Sequence, residues 1–213
     1  MNLLIYPSLS PAELAQVQAV SEGVEIVNAQ SEAEALAAIG EAEAMYGNLT
    51  PALLAQAAKL KWLQTPIAGL EHYMFPELAA SPVVVSNMAK IYNDMIADHA
   101  MTYILMFAKG FHLYLRRQLA GVWEKGTPVR HLADCTLGII GLGGIGTDLA
   151  QRGNAHGMRV IATEARPGDK PDFVDELWPA TRLNDLMTQS DFVVSCVPQT
   201  PATVGLIGAA EIG

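Results

Sequence analysis

The sequence predicts an α/β protein made of two parallel-sheet domains. Two observations lead to this prediction. Short apolar runs alternate with alanine-rich helical stretches from the first residues, and the alternation restarts after a long helical segment that ends near Gly121. Strands that alternate with helices form parallel sheets with helices packed on their faces. We therefore expect a domain boundary where the alternation restarts.

The first half of the chain contains five candidate strands with helices between them. The strands are expected at residues 3–6, 24–27, 44–46, 62–64 and 83–86, and the helices at residues 11–20, 32–39 and 51–58. Two of the helices have a clear start signal, because Ser10 precedes Pro11 and Thr50 precedes Pro51. A hydroxyl caps the first turn of a helix, and proline fits its first position.

A long helical pattern follows, from about residue 93 to residue 119. Its apolar positions surround most of the helix, so we expect burial on more than one side. We expect this connecting helix to form a homodimer seam, and a helix buried inside a monomer is the alternative. The seam residues would be Met95, Met101, Ile104, Leu105, Phe107 and Phe111.

After a polar loop at residues 124–130, the second half contains three candidate strands. They are expected at residues 136–140, 159–163 and 192–197, with helices at residues 147–156 and 183–189. Three strands paired in the order 3-2-1 would leave the first as an exposed edge. The half of the sheet beyond the switch point would then be missing.

Composition and charge argue against several classes of function. Residues 1–100 carry three basic and eleven acidic side chains, and the whole chain has a formal charge of −9. An acidic chain without a basic stripe does not suit nucleic acid or an anionic membrane. The two cysteines, Cys135 and Cys196, fit neither a zinc pattern nor a disulfide framework, so we expect no metal and a reduced, cytoplasmic setting.

The stretch TLGIIGLGGIG contains the spacing G-x-G-x-x-G, in Gly141, Gly143 and Gly146. The first glycine suits a tight turn, the second lets backbone approach a pyrophosphate, and the third lets a helix pack on the strand. Glu164 ends the next strand, 18 residues after Gly146, where a carboxylate would meet ribose hydroxyls. These features predict a dinucleotide site, and a glycine turn beside a surface glutamate is the alternative.

The acidic side chain also bears on the choice of cofactor. The charge of Glu164 would repel a 2′-phosphate, which favours NAD over NADP. Arg166, two residues further on, could attract that phosphate, or could be a solvated side chain.

Several segments, in order, resemble the D-isomer-specific 2-hydroxyacid dehydrogenase family. They are KWLQTPIAGLEH, VVVSNMAKIYNDMIADHA, TLGIIGLGGIG with GMRVIATEAR, and SDFVVSCVPQTPATVGLI. The resemblance implies hydride exchange between a nicotinamide cofactor and a small D-2-hydroxy or 2-keto acid. It also implies a flavodoxin-like substrate domain at residues 1–98, a connecting helix at 99–120, and the first half of a Rossmann-like NAD-binding domain at 121–213.

The same resemblance implies roles for individual residues. The backbone N–H groups of Ala68 and Gly69 would hold the substrate carboxylate, with Asn87 and Ile91 bordering the pocket. The cofactor would contact Gly144 and Ile145 at the pyrophosphate, Glu164 at the ribose, and Val197, Pro198 and Thr203 on the adenine or ribose side. Asp98 and His99 would be a structural pair.

The family's catalytic arginine, glutamate and histidine have no match in this sequence. Their contexts would follow the last residues given, and Arg152-Gly153 lies on the helix after the glycine loop, where it cannot replace the arginine. We therefore assign no catalytic residue, expect the sequence to be part of a longer chain, and expect the 213-residue chain alone to be inactive. The alternatives are a truncated, non-catalytic dinucleotide-binding or regulatory module and, from a glycine-rich strand followed by an acid, a methyltransferase.

Overall fold

A computed structural model describes residues 1–20 and 22–212. The chain forms two compact units, Met1–Ala89 and Lys90–Gly213. Each unit is built on a parallel sheet, as the alternation of strands and helices predicts.

The first unit has a five-stranded sheet in the order β2-β1-β3-β4-β5, which is the flavodoxin order. Its strands are β1 Asn2–Tyr6, β2 Glu25–Asn28, β3 Ala44–Gly47, β4 Trp62–Gln64 and β5 Val84–Ser86. Its helices are α1 Pro11–Val20, α2 Glu32–Ile39, α3 Pro51–Gln56 and α4 Pro76–Ala79. The core between them is aliphatic and includes Leu4, Ile39, Met45, Leu53 and Leu63.

Both predicted helix starts are present in the first unit. The Thr50 hydroxyl accepts a hydrogen bond from the backbone N–H of Leu53 at 3.3 Å. Before α1, the backbone N–H and the hydroxyl of Ser10 both donate to Glu13, at 2.9 and 2.6 Å. These hydrogen bonds lower the pKa of Glu13, because they stabilise its charged form.

The second unit has four parallel strands in the order β8-β7-β6-β9. The strands are β6 Thr136–Ile140, β7 Arg159–Glu164, β8 Glu176–Pro179 and β9 Phe192–Ser195. Two expectations were therefore wrong: the unit has a fourth strand, β8, and β6 is not an edge. The last strand pairs with β6 on the side opposite β7, and Asp191 holds it there by accepting the backbone N–H of Thr136 at 2.9 Å. The switch point of the sheet lies between β6 and β9.

The helices of the second unit are α5 Asn93–Ala108, α6 Phe111–Leu119, α7 Gly144–Ala155, α8 Leu183–Gln189 and α9 Ala209–Ile212. The expected single helix over residues 93–119 is therefore two helices. Gly110 separates them in a left-handed conformation with φ +65°, which glycine adopts without a steric penalty.

The first of these two helices, α5, packs along α7 in the core of the second unit. Its buried face includes Ala97, Met101, Ile104 and Ala108. Two of the proposed seam residues, Met101 and Ile104, therefore contribute to this core and are not free to contact a second chain. Phe107 and Phe111 remain exposed.

Residues 1–20 and 22–212 contain neither a membrane-crossing helix nor a metal-binding cluster. Within those ranges no helix has the length and apolar character needed to cross a membrane. The same residues contain no group of histidine, cysteine and acidic side chains that could hold a metal ion.

Candidate dinucleotide site

The glycine loop joins the end of β6 to the start of α7. Gly141 begins the turn with φ +92°, and its N–H donates to the carbonyl of Thr163 on β7 at 2.8 Å. A Cβ atom added at Gly141 would lie 2.9 Å from Cγ1 of Val197, which follows β9. Both the backbone angle and the neighbouring side chain therefore require glycine at this position.

The other two glycines of the motif have different surroundings. A Cβ atom at Gly146 would lie 2.2 Å from the carbonyl oxygen of Gly141, so α7 can start this close to β6 only with glycine there. Gly143 is exposed, and a Cβ atom at that position would meet nothing within 4 Å. The open space at Gly143 is where backbone can approach a ligand.

The loop and the first turn of α7 present a group of free backbone donors. Within residues 1–20 and 22–212, the N–H groups of Gly143, Gly144, Ile145 and Gly146 have no hydrogen-bond acceptor. A helix begins with such N–H groups and with the positive end of its dipole, both of which attract an anion. With the opening at Gly143, these donors fit the pyrophosphate of a dinucleotide.

The carboxylate of Glu164 lies beside the loop, at the end of β7. Its Oε2 accepts the backbone N–H of Leu142 at 2.7 Å, and its Oε1 accepts the N–H of Ala165 at 3.1 Å. Sequence reasoning missed the contact to Leu142, because a backbone donor leaves no signal in the residue types. Arg166 is exposed, and its guanidinium has no hydrogen-bond partner in the described part of the chain.

The segment after β9 forms the other side of the switch point. The N–H of Cys196 donates to the carbonyl of Ile140 at 2.8 Å, which brings Val197 against Gly141. Thr203 folds the next loop, because its hydroxyl donates to the carbonyl of Pro198 at 2.6 Å and accepts the N–H of Thr200 at 2.8 Å. Burial raises the pKa of the Cys196 thiol to about 11, so the thiol is neutral near pH 7.

The turn at Ala68 and Gly69 belongs to the first unit. Asn87, just after β5, donates its amide N–H to the carbonyl of Ala68 at 2.5 Å. Within the described ranges, the N–H groups of Ala68 and Gly69 have no acceptor. The carboxylate of Glu71 lies against the same turn, since a Cβ atom at Gly69 would be 2.7 Å from both of its oxygens.

The remaining predicted residues lie at the start of the second unit. Ile91 is exposed in the turn before α5. Asp98 forms an ion pair with Arg152, whose Nε lies 2.5 Å from Oδ1 of the aspartate, and His99 makes an edge-to-face contact with Tyr103. The Arg152-Gly153 pair thus has a structural role, since Arg152 holds α5 on α7.

The parallel sheet, the glycine loop at its switch point and the acid at the end of the neighbouring strand define a Rossmann-type dinucleotide-binding domain. A family model described as the NAD binding domain of D-isomer specific 2-hydroxyacid dehydrogenases matches residues 101–213. The chain therefore belongs to the D-isomer-specific 2-hydroxyacid dehydrogenase family, and its second unit is a nicotinamide-dinucleotide-binding domain.

Proteins similar in sequence to this chain are named as reductases or dehydrogenases of small hydroxy or keto acids. Glyoxylate/hydroxypyruvate reductase B of Escherichia coli O17:K52:H18 is 31% identical over 189 residues, which cover 83% of this chain and 57% of that protein. Glycerate dehydrogenase of Methylorubrum extorquens is 28% identical over 166 residues, which cover 75% of this chain and 50% of that protein. The chain thus spans about half the length of these relatives.

Solved structures agree with the fold. A D-isomer specific 2-hydroxyacid dehydrogenase family protein from Aeromonas salmonicida matches with a TM-score of 0.76 and 27% identity, over 95% of this chain and 65% of that one. An NADPH-dependent glyoxylate/hydroxypyruvate reductase from Sinorhizobium meliloti matches with a TM-score of 0.82 and 24% identity, over 99% of this chain and 66% of that one. Because the identity to the Sinorhizobium meliloti protein is only 24%, this second match supports the fold alone.

Proposed function

We propose that this protein is an oxidoreductase that interconverts a D-2-hydroxy acid and a 2-keto acid with a nicotinamide cofactor. One observation carries the proposal: four free N–H groups and a fixed carboxylate, Glu164, meet at the switch point of a sheet in a chain of this family. The nicotinamide, when bound, supplies or accepts the hydride. The roles we propose for the residues of this chain are binding and orientation.

The glycine loop binds the cofactor pyrophosphate in this proposal. Gly143, Gly144, Ile145 and Gly146 donate their backbone N–H groups to its oxygens, with the start of the α7 dipole behind them. Gly141 and Gly146 keep the turn tight enough for these donors to converge. Val197, Pro198 and Thr203 line the adenine or ribose side from beyond β9.

Glu164 selects the cofactor by charge. Two backbone donors hold its carboxylate, and its remaining lone pairs can accept hydrogen bonds from the ribose hydroxyls. A 2′-phosphate at the same place would meet a like charge, so NAD is the proposed cofactor. Arg166 supports NADP as the alternative, because its exposed guanidinium is free to pair with a phosphate.

The first unit is the proposed substrate domain. Ala68 and Gly69 donate backbone N–H groups to the substrate carboxylate, because successive free amides form an anion-binding turn. Asn87 orients this turn through its hydrogen bond to the carbonyl of Ala68. Ile91 belongs to the second unit, and its role as an apolar wall of the substrate pocket stays a prediction. The substrate anion displaces the Glu71 carboxylate from Gly69, since two like charges do not share one turn.

We also propose that the protein self-associates through α6 and the loop that follows it. Leu119 is 90% exposed and Trp123 is 92% exposed, and Phe107, Phe111 and Val122 add exposed apolar surface. Leu119, Val122 and Trp123 lie close together in sequence, and exposed apolar side chains that lie close together favour a protein interface. A second copy of the chain is the proposed partner.

The test is a binding and turnover assay on the intact protein. The loss of NADH and NADPH absorbance is followed with a panel of small 2-keto acids, with glyoxylate and hydroxypyruvate first because the relatives are named for them. We expect NADH oxidation with at least one of them. Dinucleotide binding without turnover of any acid would support the non-catalytic module instead.

A further inference from the structure

Asn93, the first residue of α5, lies against the first residue of α7. A Cβ atom added at Gly144 would lie 2.2 Å from Nδ2 of Asn93 and 3.0 Å from its Oδ1. The glycine at position 144 is not one of the three that define the motif. Its small size instead leaves room for this carboxamide beside the free N–H groups of the loop.

The position of Asn93 is held by a clamp between the two helices. Arg152 on α7 ion-pairs with Asp98 and also donates to the carbonyls of Asp94 and Asp148, at 3.2 and 2.9 Å. These contacts join the first turn of α5 to α7. The carboxamide of Asn93 has no hydrogen-bond partner within residues 1–20 and 22–212, and it is only partly exposed.

We propose that Asn93 is a further cofactor-binding residue, whose Nδ2 donates a hydrogen bond to the pyrophosphate from outside the glycine motif. The proposal rests on the function proposed above. A carboxamide carries two N–H donors, and phosphate oxygens accept side-chain as well as backbone donors. Asn93 adds a neutral donor near two acidic side chains of α5, Asp94 and Asp98.

The experiment compares three ligands by calorimetry. NADH and ADP-ribose both contain the pyrophosphate, and adenosine does not. We expect Asn93→Ala to weaken NADH and ADP-ribose about tenfold and to leave adenosine unchanged. We expect Asn93→Asp, which keeps the size of the side chain, to weaken both further, because a carboxylate repels the phosphates. Asn154→Ala, the same change at the exposed far end of α7, is the control.

A second variant tests the position directly. Gly144→Ala places a methyl group where the Asn93 carboxamide lies, so we expect a similar loss of NADH affinity, with no further loss in the double variant. The inference fails if Asn93→Ala binds NADH like the wild type, if Asn93→Asp is no weaker than Asn93→Ala, or if adenosine is lost equally. A wild type that binds no NADH overturns the proposed function itself, and this inference with it.

Discussion

Leu142 donates its backbone N–H to Oε2 of Glu164 at 2.7 Å, which ties the glycine loop to the end of the neighbouring strand. Oε1 accepts from Ala165, so both oxygens of the carboxylate are held by backbone. The carboxylate is therefore fixed beside the glycine loop before any ligand arrives. A fixed charge discriminates between ligands more sharply than a mobile one, because no reorganisation relieves the repulsion.

Removing this charge should change cofactor selection. In Glu164→Gln the amide oxygen can still accept from Leu142, but the repulsion toward a 2′-phosphate is lost. We expect the Kd for NADH to rise about tenfold and the Kd for NADPH to fall by a similar factor. Titration with both cofactors measures the ratio, and Glu77→Gln on α4 is a control for loss of one surface charge. An unchanged ratio would show that Glu164 does not select the cofactor.

Asn87 should affect the acid substrate and leave the cofactor alone. Asn87→Ala removes the hydrogen bond that holds the carbonyl of Ala68, so that the peptide between Ala68 and Gly69 can turn the N–H of Gly69 away from the carboxylate. In the intact protein we expect the KM for the keto acid to rise about tenfold, with a smaller fall in kcat and an unchanged Kd for NADH. Steady-state kinetics and a cofactor titration separate these effects, and an unchanged KM would contradict the positioning role.

The partly buried thiol of Cys196 predicts a loss of stability in alkaline solution. Its folded pKa of about 11 lies above the ordinary value of 9.0. The neutral thiol therefore favours the folded state below about pH 9, and this contribution disappears as the pH rises toward 11. Between about pH 8 and pH 10 we expect wild-type unfolding free energy to fall by roughly 1 kcal/mol more than that of Cys196→Ala. Urea unfolding at both values tests this, and parallel losses would contradict it.

Self-association should depend on the exposed end of α6. Leu119→Glu introduces a charge into the proposed interface, and we expect the dimer dissociation constant to rise about hundredfold, which light scattering detects as a monomer. Val20→Glu is the matched control, because Val20 on α1 is 85% exposed and lies in the first unit. A wild type that is already monomeric at high concentration would rule out the interface.

Local sequence was sufficient for the glycine loop and for the fold class. The spacing of Gly141, Gly143 and Gly146 depends on a strand and a helix that are adjacent in sequence, and Glu164 follows the next strand. Such signals are strong because each residue type meets a local backbone or charge requirement. The alternation of strands and helices similarly predicted both parallel sheets.

The pairing of strands that are far apart in the sequence could not be predicted from the local residue pattern. The strand β8 is only four residues long and ends in Pro179, so it lacks a clear apolar run. Because the prediction left out β8, it placed β9 beside β7 and not beside β6. The actual position of β9 depends on long-range contacts such as that of Asp191 with Thr136. Gly110 broke a helix whose apolar pattern continues across it, and the contact of Asn93 with Gly144 joins residues 51 positions apart.

Titration of the 213-residue chain with NADH, beside its Gly143→Ala variant, is the most direct test of the dinucleotide site. A methyl group at Gly143 meets no protein atom within 4 Å, so the variant should unfold at the wild-type temperature. The same methyl group would fill the space that we propose for the pyrophosphate. We predict that the wild type binds NADH with a Kd of roughly micromolar order and that the variant binds at least about tenfold more weakly. Equal binding by both proteins, or none by the wild type, would contradict the account.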